Sequence, residues 1–569
     1  VPDINLRSNL YTTEDFLDSL QVSKNYMADQ NLYIRERIFD MWIGDWNKMN
    51  ENWEWQSHTV NDSVIYTPIV IDRNHAFTKV DGVLFKQMLK MLSLDFICNY
   101  DSLILKDTKK INKLAFALDM AVAGRSDESV WIRQAQEIRK QMTDSLIDSA
   151  FTYLPEGVKH DEIELIKQKL KRRRLELEAV ASQYYRLLQR TPVVAGTNQS
   201  DYFLIERQAP DRTILRIYDP ETGDCRLEQQ FSGKETKELW LYGLAGNDTF
   251  EVKGNTRKDF PIYLISGEGE NQYQLNHSRK IHVYDKDYKY DYQKIKYHKI
   301  SFTPWGIYDS DKGISLGTFF TYTMYGFKRA PFTYQHRIGY NYLKGFMYAG
   351  VFPNYDGRRR LYLNASISSP RNFENFFGFG NNTAGYKEEK KNYNRVKLRT
   401  YMFNPSFEMD LRKEEVMTFF GSLDMYKAKR TDDRYIYTVY GEDHPIFRTN
   451  YFVGLGATYR ITKQPYSWLP LLETEWTAGW KMNLKKPERN FPYAQGSLSW
   501  NVRFSDRFTW ASLMKGTVLF DNDYEFYQAA TIDLRGFRDN RFIGKQSFYQ
   551  YSDLRLDMGK LKNPFTPLK

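Results

Sequence analysis

The sequence predicts a mainly β protein, in which α-helical and small β domains precede a C-terminal transmembrane β-barrel. Aromatic residues make up 16% of the 569 residues, yet the mean hydropathy is -0.64. A membrane barrel gives this combination because only alternate residues meet lipid and aromatic girdles mark both interfaces. No stretch of the sequence is apolar for the eighteen or so residues that a membrane-spanning helix needs. Long alternating stretches after residue 313 complete the argument.

Composition excludes several other classes. The net charge of +10 does not indicate nucleic acid as a partner, because acidic residues are interleaved with Lys and Arg throughout and no nucleic-acid motif occurs. Cys98 and Cys225 lie far apart without a CxxC pair, so they predict no metal site. The histidines are scattered without HExxH spacing, and no GxSxG elbow is present. The composition therefore offers no hydrolase or zinc site.

The first two predicted regions are helical. Residues 1–125 form a region with a mostly helical pattern from 12 to 124, interrupted by the apolar run 66–71. Residues 126–192 form a helical hairpin, with amphipathic helices over 126–154 and 161–190. The sequence Pro155-Glu156-Gly157 separates these two helices.

Residues 193–300 form a small β-rich module, with short β-like runs over 213–218, 239–241 and 262–265. Two glycine-rich turns, Gly243–Phe250 and Gly267–Tyr273, repeat at a spacing of about 23 residues. They resemble calcium-binding β-roll repeats, which makes calcium a candidate cofactor and Asp248 its candidate side-chain ligand. The alternative is that both are simple turns.

Residues 301–569 form the predicted barrel. Leu361, Leu363, Ala365 and Ile367 share one face of a strand, opposite Tyr362, Asn364, Ser366 and Ser368. Residues 450–461 repeat this pattern, with apolar side chains on one face and polar residues or glycine on the other. Such strands are longer than those of most soluble sandwiches and suit a cylinder with lipid outside and water inside. About twelve strands are expected between Gly313 and Lys560.

A basic turn lies between two of the last predicted strands. Leu534, Arg535, Gly536 and Phe537 form the turn, and the strand after it carries Asp553 and Asp557. A guanidinium inside a barrel needs a carboxylate partner, so either aspartate is a candidate. The alternative is an ordinary hairpin with a basic tip.

These residues resemble the lumen-loop motif of the BamA/TamA-type outer-membrane assembly-factor superfamily, of the surface-antigen type. Weaker similarities occur at Asp309–Gly317, Tyr325–Lys328 and Asn375–Asn381. The resemblance implies a sixteen-strand barrel, with about four strands expected beyond Lys569. It also implies protein transport or membrane assembly, but no POTRA module of βααββ type precedes the barrel. Insertase activity therefore does not follow from the resemblance alone.

A second resemblance lies at residues 37–77, which are similar to the catalytic and metal-binding loops of secreted-type kinase-like folds. Asn47-Lys48-Met49 stands where that family has Asp-Arg-His. An amide cannot accept the acceptor's proton, so the catalytic base is missing. Asn52 and Asp72 remain candidate metal ligands, and no glycine-rich nucleotide loop precedes them. A degenerate kinase-like region is expected, with a plain helical domain as the alternative.

Taken together, the sequence predicts a protein of the bacterial outer membrane that translocates or inserts protein or lipid. The expected partners are outer-membrane lipids, together with other outer-membrane or periplasmic proteins. One alternative is a membrane-anchored binding or scaffold protein. Another is the barrel anchor of an enzyme, such as a metallophosphoesterase, whose catalytic domain lies upstream. No catalytic residue is assigned within these residues.

Overall fold

The computed structural model describes residues 9–556 except 81, 83–84, 87, 90–93, 156–159, 255–258, 277–279, 285–289, 297, 310–311, 327–328, 330, 355–356, 384–391, 464–470 and 506. The chain divides into two compact units, Val1–Tyr297 and His298–Lys569. The N-terminal unit carries helices and small sheets, and the C-terminal unit carries one long antiparallel sheet. The predicted fold class is confirmed at this level.

The N-terminal unit begins with a small sheet and several helices. The strands are β1 (Leu10–Tyr11), β2 (Tyr26–Ala28), β3 (Trp53–Val60) and β4 (Ser63–Val70), in the order β1-β3-β4-β2. The helices are α1 (Thr13–Val22), α2 (Gln30–Ile43), α3 (Thr108–Ile111), α4 (Phe116–Ala123), α5 (Glu128–Gln141), α6 (Asp144–Ala150), α7 (His160–Arg174) and α8 (Leu177–Leu188).

The prediction of a mostly helical region is wrong for residues 53–70, which form the β3–β4 hairpin. The period there is two, not 3.6, because Trp53 and Trp55 alternate with less buried residues. Trp55 stacks on Phe16 of α1 with ring centroids 3.7 Å apart. This buried aromatic packing outweighs the helical pattern of the flanking segments.

The predicted helical hairpin is also more divided than expected. Each of its two long helices is two shorter ones: α5 and α6 meet at residues 142–143, and α7 and α8 at 175–176. Thr143 begins α6 as its N-cap, because its side chain accepts a hydrogen bond from the Leu146 N–H at 3.2 Å. The apolar spacing continues through this cap, so the amphipathic pattern alone does not indicate the break between the two helices.

Residues 193–284 wind into a short two-sheet coil. Its strands are β5 (Val193–Ala195), β6 (Tyr202–Gln208), β7 (Arg212–Tyr218), β8 (Cys225–Phe231), β9 (Leu239–Tyr242), β10 (Thr249–Gly254), β11 (Ile262–Ile265), β12 (Gln272–Leu275) and β13 (Ile281–Tyr284). The sheets have the orders β12-β10-β6-β7-β8 and β13-β11-β9-β5. The predicted runs at 213–218, 239–241 and 262–265 are confirmed as β7, β9 and β11.

Successive coils stack in register. Pairs β6–β10, β10–β12, β5–β9, β9–β11 and β11–β13 are all parallel. Between the sheets lies a core that includes Val194, Phe203, Leu241, Phe250 and Leu264. The two glycine-rich turns predicted as a repeat therefore lie one above the other. The antiparallel hairpin β7–β8 lies beside β6 and covers that edge of the stack.

The C-terminal unit is built from β14 (Lys299–Asp309), β15 (Gly313–Met324), β16 (Tyr334–Asn341), β17 (Gly345–Pro353), β18 (Arg359–Ser368), β19 (Phe373–Asn375), β20 (Arg395–Arg412), β21 (Glu415–Ala428), α9 (Tyr435–Tyr440), β22 (Asn450–Lys463), β23 (Leu471–Asn483), β24 (Asn490–Arg503), β25 (Phe508–Leu519), β26 (Ala530–Ile532), β27 (Phe542–Gly544) and β28 (Gln546–Leu556). The path β14-β15-β16-β17-β18-β20-β21-β22-β23-β24-β25-β28 contains twelve strands, each antiparallel to its neighbours. Among the described residues, eleven of these strands begin at or after Gly313, close to the twelve or so expected between Gly313 and Lys560, and β14 precedes that range.

The two faces of this sheet differ in chemistry. One face carries large apolar side chains that are exposed, among them Phe320, Ile338, Phe403, Leu455 and Trp476. The opposite face carries polar and charged side chains, with Arg337, Glu408, Asp424, Thr458 and Lys481 as examples. We call these the apolar face and the polar face. The alternation of apolar and polar side chains predicted from the sequence is thus present, and residues paired on neighbouring strands lie on the same face.

The two ends of the sheet differ as well. At one end the strands are joined by the long connections 369–394, 429–449 and 520–545, together with the short connections 310–312, 342–344 and 484–489. At the other end the connections are 325–333, 354–358, 413–414, 464–470 and 504–507. We call these the long-connection end and the short-turn end. The chain enters β14 at the short-turn end.

We expect Gly269→Ala to destabilise the two-sheet coil. A Cβ at Gly269, where φ is +118°, would lie 1.8 Å from the Gly246 carbonyl oxygen in the turn below. The Gly246 carbonyl belongs to the backbone and cannot move aside without disturbing its turn, and alanine is strained at this φ. The substitution should therefore lower the free energy of unfolding by more than about 2 kcal/mol. Hydrogen exchange of β10 and β12 in the whole chain measures it. Gly223→Ala is the matched control, because its φ is +77° but nothing lies within 4 Å; equal effects would contradict the stacked-turn explanation.

Candidate functional site

The connection 520–545, which we call the inner loop, lies against the polar face of the sheet. Phe526 and Ile543 belong to a buried cluster with Phe376, Tyr426 and Phe452. Tyr426 and Phe452 are polar-face positions of β21 and β22, since they alternate with the exposed apolar side chains. Tyr527 stacks on Tyr426 with ring centroids 4.3 Å apart. The inner loop therefore folds inward and not away from the strands.

Other contacts anchor the inner loop to the beginning of the sheet. The side-chain amide of Asn375 donates to the Asp539 carbonyl at 3.2 Å, and Lys312 lies 3.4 Å from the Asp539 carboxylate. The Gly380 N–H donates to the Ile543 carbonyl at 2.8 Å. Lys312 belongs to the β14–β15 turn, so the inner loop joins strands that are far apart along the sheet path. The sheet must curl for these contacts to form.

The structure brings Arg535 and Asp553 together. Arg535 Nη1 and Nη2 donate to Asp553 Oδ1 and Oδ2 at 2.7 and 2.9 Å, which is a two-pronged contact. The guanidinium also lies over the Tyr551 ring, 5.0 Å from its centroid. Arg555 is a second neighbour of Asp553, at 3.8 Å. Asp557, the other candidate partner, lies outside the described residues.

The Arg535–Asp553 pair is exposed to solvent and does not lie in a closely packed interior. The Arg535 side chain is 69% exposed and that of Asp553 is 23% exposed. Gly536 has a φ of +86°, a left-handed conformation that turns the chain directly after Arg535. Phe537 packs against Phe542 at 5.1 Å, and its N–H donates to the Leu534 carbonyl at 3.3 Å. The motif is thus a compact turn that points its cation at β28.

A charged cluster on the polar face near the short-turn end was not anticipated from the sequence. Glu408 accepts from Arg360 Nε at 2.8 Å and from the Tyr362 hydroxyl at 3.2 Å, and it lies 3.7 Å from Arg460. Arg360 also pairs with Asp410. The signal was present, since these charges all fall on the polar parity of their strands. The Arg360 and Glu408 side chains are 25% and 16% exposed, so water reaches this cluster in part.

In the kinase-like region, the structure places the two candidate metal ligands side by side. The side-chain amide of Asn52 lies 3.5 Å from Asp72 Oδ2. Asn52 Oδ1 accepts the Met49 N–H at 2.8 Å, and Asp72 Oδ1 accepts the Asn74 N–H at 2.8 Å. One carboxylate and one amide, both engaged in holding loops, form a poor cage for a divalent cation.

Lys48 occupies the middle of this region. Its ammonium is buried, pairs with Asp45, lies 3.7 Å from Asp40 and donates to the Asp72 carbonyl at 2.6 Å. It therefore ties the end of α2 to the loop after β4. Asn47, the residue in the position of the family's base, offers an amide that cannot take a proton at neutral pH. The contacts of Lys48 give it a structural role.

A buried ionic network next to this region was not predicted from the sequence. Arg37 Nε and Nη2 donate to the Asp119 carboxylate at 2.7 and 3.1 Å, and Tyr33 donates to the same carboxylate at 2.7 Å. Asn112 Oδ1 accepts from Arg37 at 2.7 Å. The available signal was Asp119, a lone acid in the otherwise apolar helix α4, which cannot be buried without partners. Burial also raises the pKa of Asp40 to about 6, although Arg37, Lys48 and Arg73 oppose the rise.

The stacked turns of the coil form a ladder of acidic and amide side chains. The Asp201 N–H donates to Asp248 Oδ1 at 2.9 Å, and the Asp248 N–H donates to Asn271 Oδ1 at 2.9 Å. Each of these residues precedes a strand of one sheet: β6, β10 and β12. Asp248 Oδ2 is buried and has no hydrogen-bond partner among the described residues. Burial, together with the charge of Asp201, raises the pKa of Asp248 to about 7.

These turns do not fit a calcium ion. Calcium takes six to eight oxygens, whereas Asp201 Oδ2, Asp248 Oδ1 and Asn271 Oδ1 already accept backbone N–H groups. A Cβ at Gly243 would lie 2.1 Å from Asp248 Oδ2, so the backbone itself fills the space beside this oxygen. The turns act as hydrogen-bonded spacers.

The described ranges contain no group of three or more His, Cys, Asp or Glu side chains that could hold a metal ion. No described helix is both long and apolar enough to cross a membrane.

Comparisons with known proteins give matches only among solved structures. No protein-family model matches the sequence, and no curated protein matches it. The chain is similar to OmpT, an outer membrane protein of Vibrio cholerae, with a TM-score of 0.27, 6% identity and coverage of 45% of this chain and 76% of that one. It is also similar to an anion-selective porin from Comamonas acidovorans, with a TM-score of 0.24, 11% identity and coverage of 44% and 63%. At these values the similarity carries no argument.

We expect Asp248→Asn to make the coil less sensitive to pH. The pKa of Asp248 in the folded protein, near 7, lies above the usual aspartate value near 4. The contribution of Asp248 to the stability of the fold is therefore complete below pH 4 and is lost as the pH rises through 7. Asparagine keeps the Oδ1 acceptor, as Asn271 does in the next coil. At pH 8 the variant should equal or exceed the parent by up to a few kcal/mol. Hydrogen exchange of β6 and β10 at pH 5 and pH 8 measures the change, and parallel pH profiles for both proteins would contradict it.

Proposed function

We propose that this protein spans the bacterial outer membrane as a β-barrel and acts in the translocation or insertion of protein or lipid there. One observation carries the membrane assignment: the apolar face is both large and exposed. Side chains such as Leu455, which is 63% exposed, and Ile338, 58% exposed, recur along strand after strand. An apolar surface of this extent is unstable in water but is what hydrocarbon requires. The polar face, with its Glu408 cluster, suits a hydrated lumen.

The connections support an orientation. Outer-membrane barrels have short periplasmic turns and longer extracellular loops. We therefore assign the short-turn end to the periplasm and the long-connection end to the cell exterior. The chain enters β14 from the periplasmic side in this orientation.

The inner loop supports the finer assignment to BamA/TamA-type activity. A loop that folds into the lumen and is clamped by Arg535 to Asp553 can hold the barrel in one state and release it when the clamp opens. The clamp is well suited to opening, because its cation is 69% exposed and water can replace the contact. Translocation of a polypeptide or lipid would need such a release.

A second function, that of a membrane-anchored scaffold, is favoured by two observations. The cluster around Phe376 and Phe526 fills the polar face at the long-connection end with packed apolar side chains, which opposes free passage. The kinase-like region keeps a folded core but has Asn47 in place of a base, so binding is the activity left to it. In this alternative the barrel is only an anchor.

We expect Leu455→Arg to destabilise the barrel in a bilayer. An arginine on the lipid face near the middle of the membrane costs about 2–4 kcal/mol, whereas the same change on a water-exposed sheet would cost little. Urea unfolding from phosphatidylcholine vesicles measures the difference. Gln495→Arg is the matched control, because Gln495 has polar-face parity on β24. A Leu455→Arg variant as stable as this control would contradict the membrane assignment.

We expect Arg535→Ala to loosen the inner loop and raise single-channel conductance. The substitution removes both hydrogen bonds to Asp553 and the contact with Tyr551. Cleavage of residues 533–541 by added protease should become several-fold faster. Asp553→Asn should have a similar effect, and the double variant should add little, because both residues act through one contact. Unchanged conductance together with unchanged cleavage would favour the scaffold alternative. Arg507→Ala, at the short-turn end, is the control.

A further inference from the structure

The apolar face becomes basic where it reaches the long-connection end. Lys397 and Arg399 lie on β20, and Lys427 and Lys429 lie at the end of β21. Arg399 is opposite Lys427 in the strand register, and the Lys429 N–H donates to the Lys397 carbonyl at 2.8 Å. The four side chains thus form one exposed patch, which we call the basic rim.

The basic rim continues the apolar face directly. Along β20, Lys397 and Arg399 have the same parity as Tyr401 and Phe403, which are exposed apolar-face residues. On β21, Lys427 has the parity of Leu423 and Met425. A single face therefore changes from apolar to cationic within two residues on both strands. In a membrane barrel this change marks the level of the lipid headgroups.

A step in the sheet turns the rim into a groove. Strand β18 stops pairing with β20 at Ile367 and Tyr401, whereas β20 and β21 continue pairing to Leu398 and Ala428. Beyond the end of β18, the short strand β19 pairs with β20 at residues 395–397. The space above the shorter strands is a cavity of about 990 Å³. Its floor includes Phe346 and Ile367, which are 58% and 46% exposed, and its wall includes Arg399 and Lys427. The cavity thus joins an apolar surface to a cationic one.

The charge of the groove is unbalanced. In the part of the chain that the structure describes, none of the four basic-rim side chains takes part in an ion pair. Glu442 and Asp443 also line the groove, but Glu442 is engaged by Arg430. Four like charges held within one patch repel each other, so an anion between them would relieve that repulsion. Phosphate suits the arrangement, because Arg and Lys both bind its oxygens strongly.

We propose that this groove binds a phosphorylated lipid of the outer leaflet, with its phosphate on the basic rim and its acyl chains along Phe346, Ile367 and Tyr401. This inference rests on the proposed membrane function, since the apolar part of the groove is available to acyl chains only if the apolar face lies in lipid. The amphipathic shape of the groove favours a lipid over free phosphate. Its place at the long-connection end selects the outer leaflet.

The experiment compares the whole chain with a charge-reversed variant. Wild type, Arg399→Glu/Lys427→Glu and the control Lys413→Glu/Lys463→Glu are folded into detergent micelles. The control has the same change in charge at the short-turn end, where both lysines are exposed. Native mass spectrometry then measures binding of diphosphorylated lipid A, of the same lipid without phosphate and of inorganic phosphate. Arg399→Gln/Lys427→Gln serves if charge reversal prevents folding.

We expect the rim variants to bind the phosphorylated lipid at least tenfold more weakly than wild type, because two charge-assisted contacts are lost. The control should remain within about twofold, and removal of the lipid phosphates should weaken wild-type binding to a similar extent. Equal binding by wild type and rim variants overturns the proposal, as does equal or tighter binding of inorganic phosphate. Heat-dependent electrophoretic migration after folding into vesicles is scored separately. Wild type that inserts without lipid preference overturns only this inference, whereas failure to insert overturns the membrane function as well.

Discussion

The pairing register of the long sheet is the constraint on which the C-terminal unit depends. Side chains alternate strictly, so a shift of one residue between two neighbouring strands would move every apolar side chain of one strand to the polar face. Between β22 and β23, Leu455 is opposite Trp480 and Gly456 is opposite Gly479. A shift of one residue would place Trp480 opposite Gly456. Apolar side chains of β23 would then lie on the polar face, and polar side chains would lie on the apolar face. The inner loop and the basic rim keep their positions only in the observed register.

Glycine on the polar face helps to hold that register. A Cβ at Gly456 would lie 2.3 Å from the Phe420 ring, and a Cβ at Gly479 would lie 2.5 Å from the Tyr493 ring. The rings of Phe420 and Tyr493 therefore lie over positions that have no side chain. Each ring fits only where a glycine stands opposite on the next strand, so the pairing has a steric check besides its hydrogen bonds.

Much of this architecture could be predicted from the sequence because period-two alternation is a local signal. The apolar and polar faces of β18 and β22 follow directly from their residues, and a strand count near twelve follows from the spacing of such runs. The β3–β4 hairpin lies in a region for which helices are predicted. Trp53 and Trp55 alternate with less buried residues, but the residues after them show little alternation of apolar and polar side chains, so the strand signal is short. Thr143, a cap, was hidden inside an amphipathic pattern that continues through it.

The candidate sites could be predicted only in part, because they depend on contacts distant in sequence. The pairing of Arg535 with Asp553 could be listed among alternatives, since both residues belong to one motif. The Arg37–Asp119 pair joins helices separated by much of the domain, and only the unusual acid in α4 pointed to it. The basic rim depends on the unequal lengths of β18 and β20. The alternation of apolar and polar residues within a strand does not indicate where that strand extends beyond its neighbour.

The hairpin β7–β8 has a consequence for how the two-sheet coil could change over evolutionary time. It lies beside β6 and pairs with it along the whole strand, so that side of the stack is already occupied by antiparallel neighbours. A full additional turn of the coil needs an edge in both sheets. Among the described strands, the end at β5 offers a parallel edge in one sheet only, whereas β12 and β13 offer parallel edges in both. Descendants of this domain should therefore vary in length after residue 254, while the segment before residue 202 keeps its size.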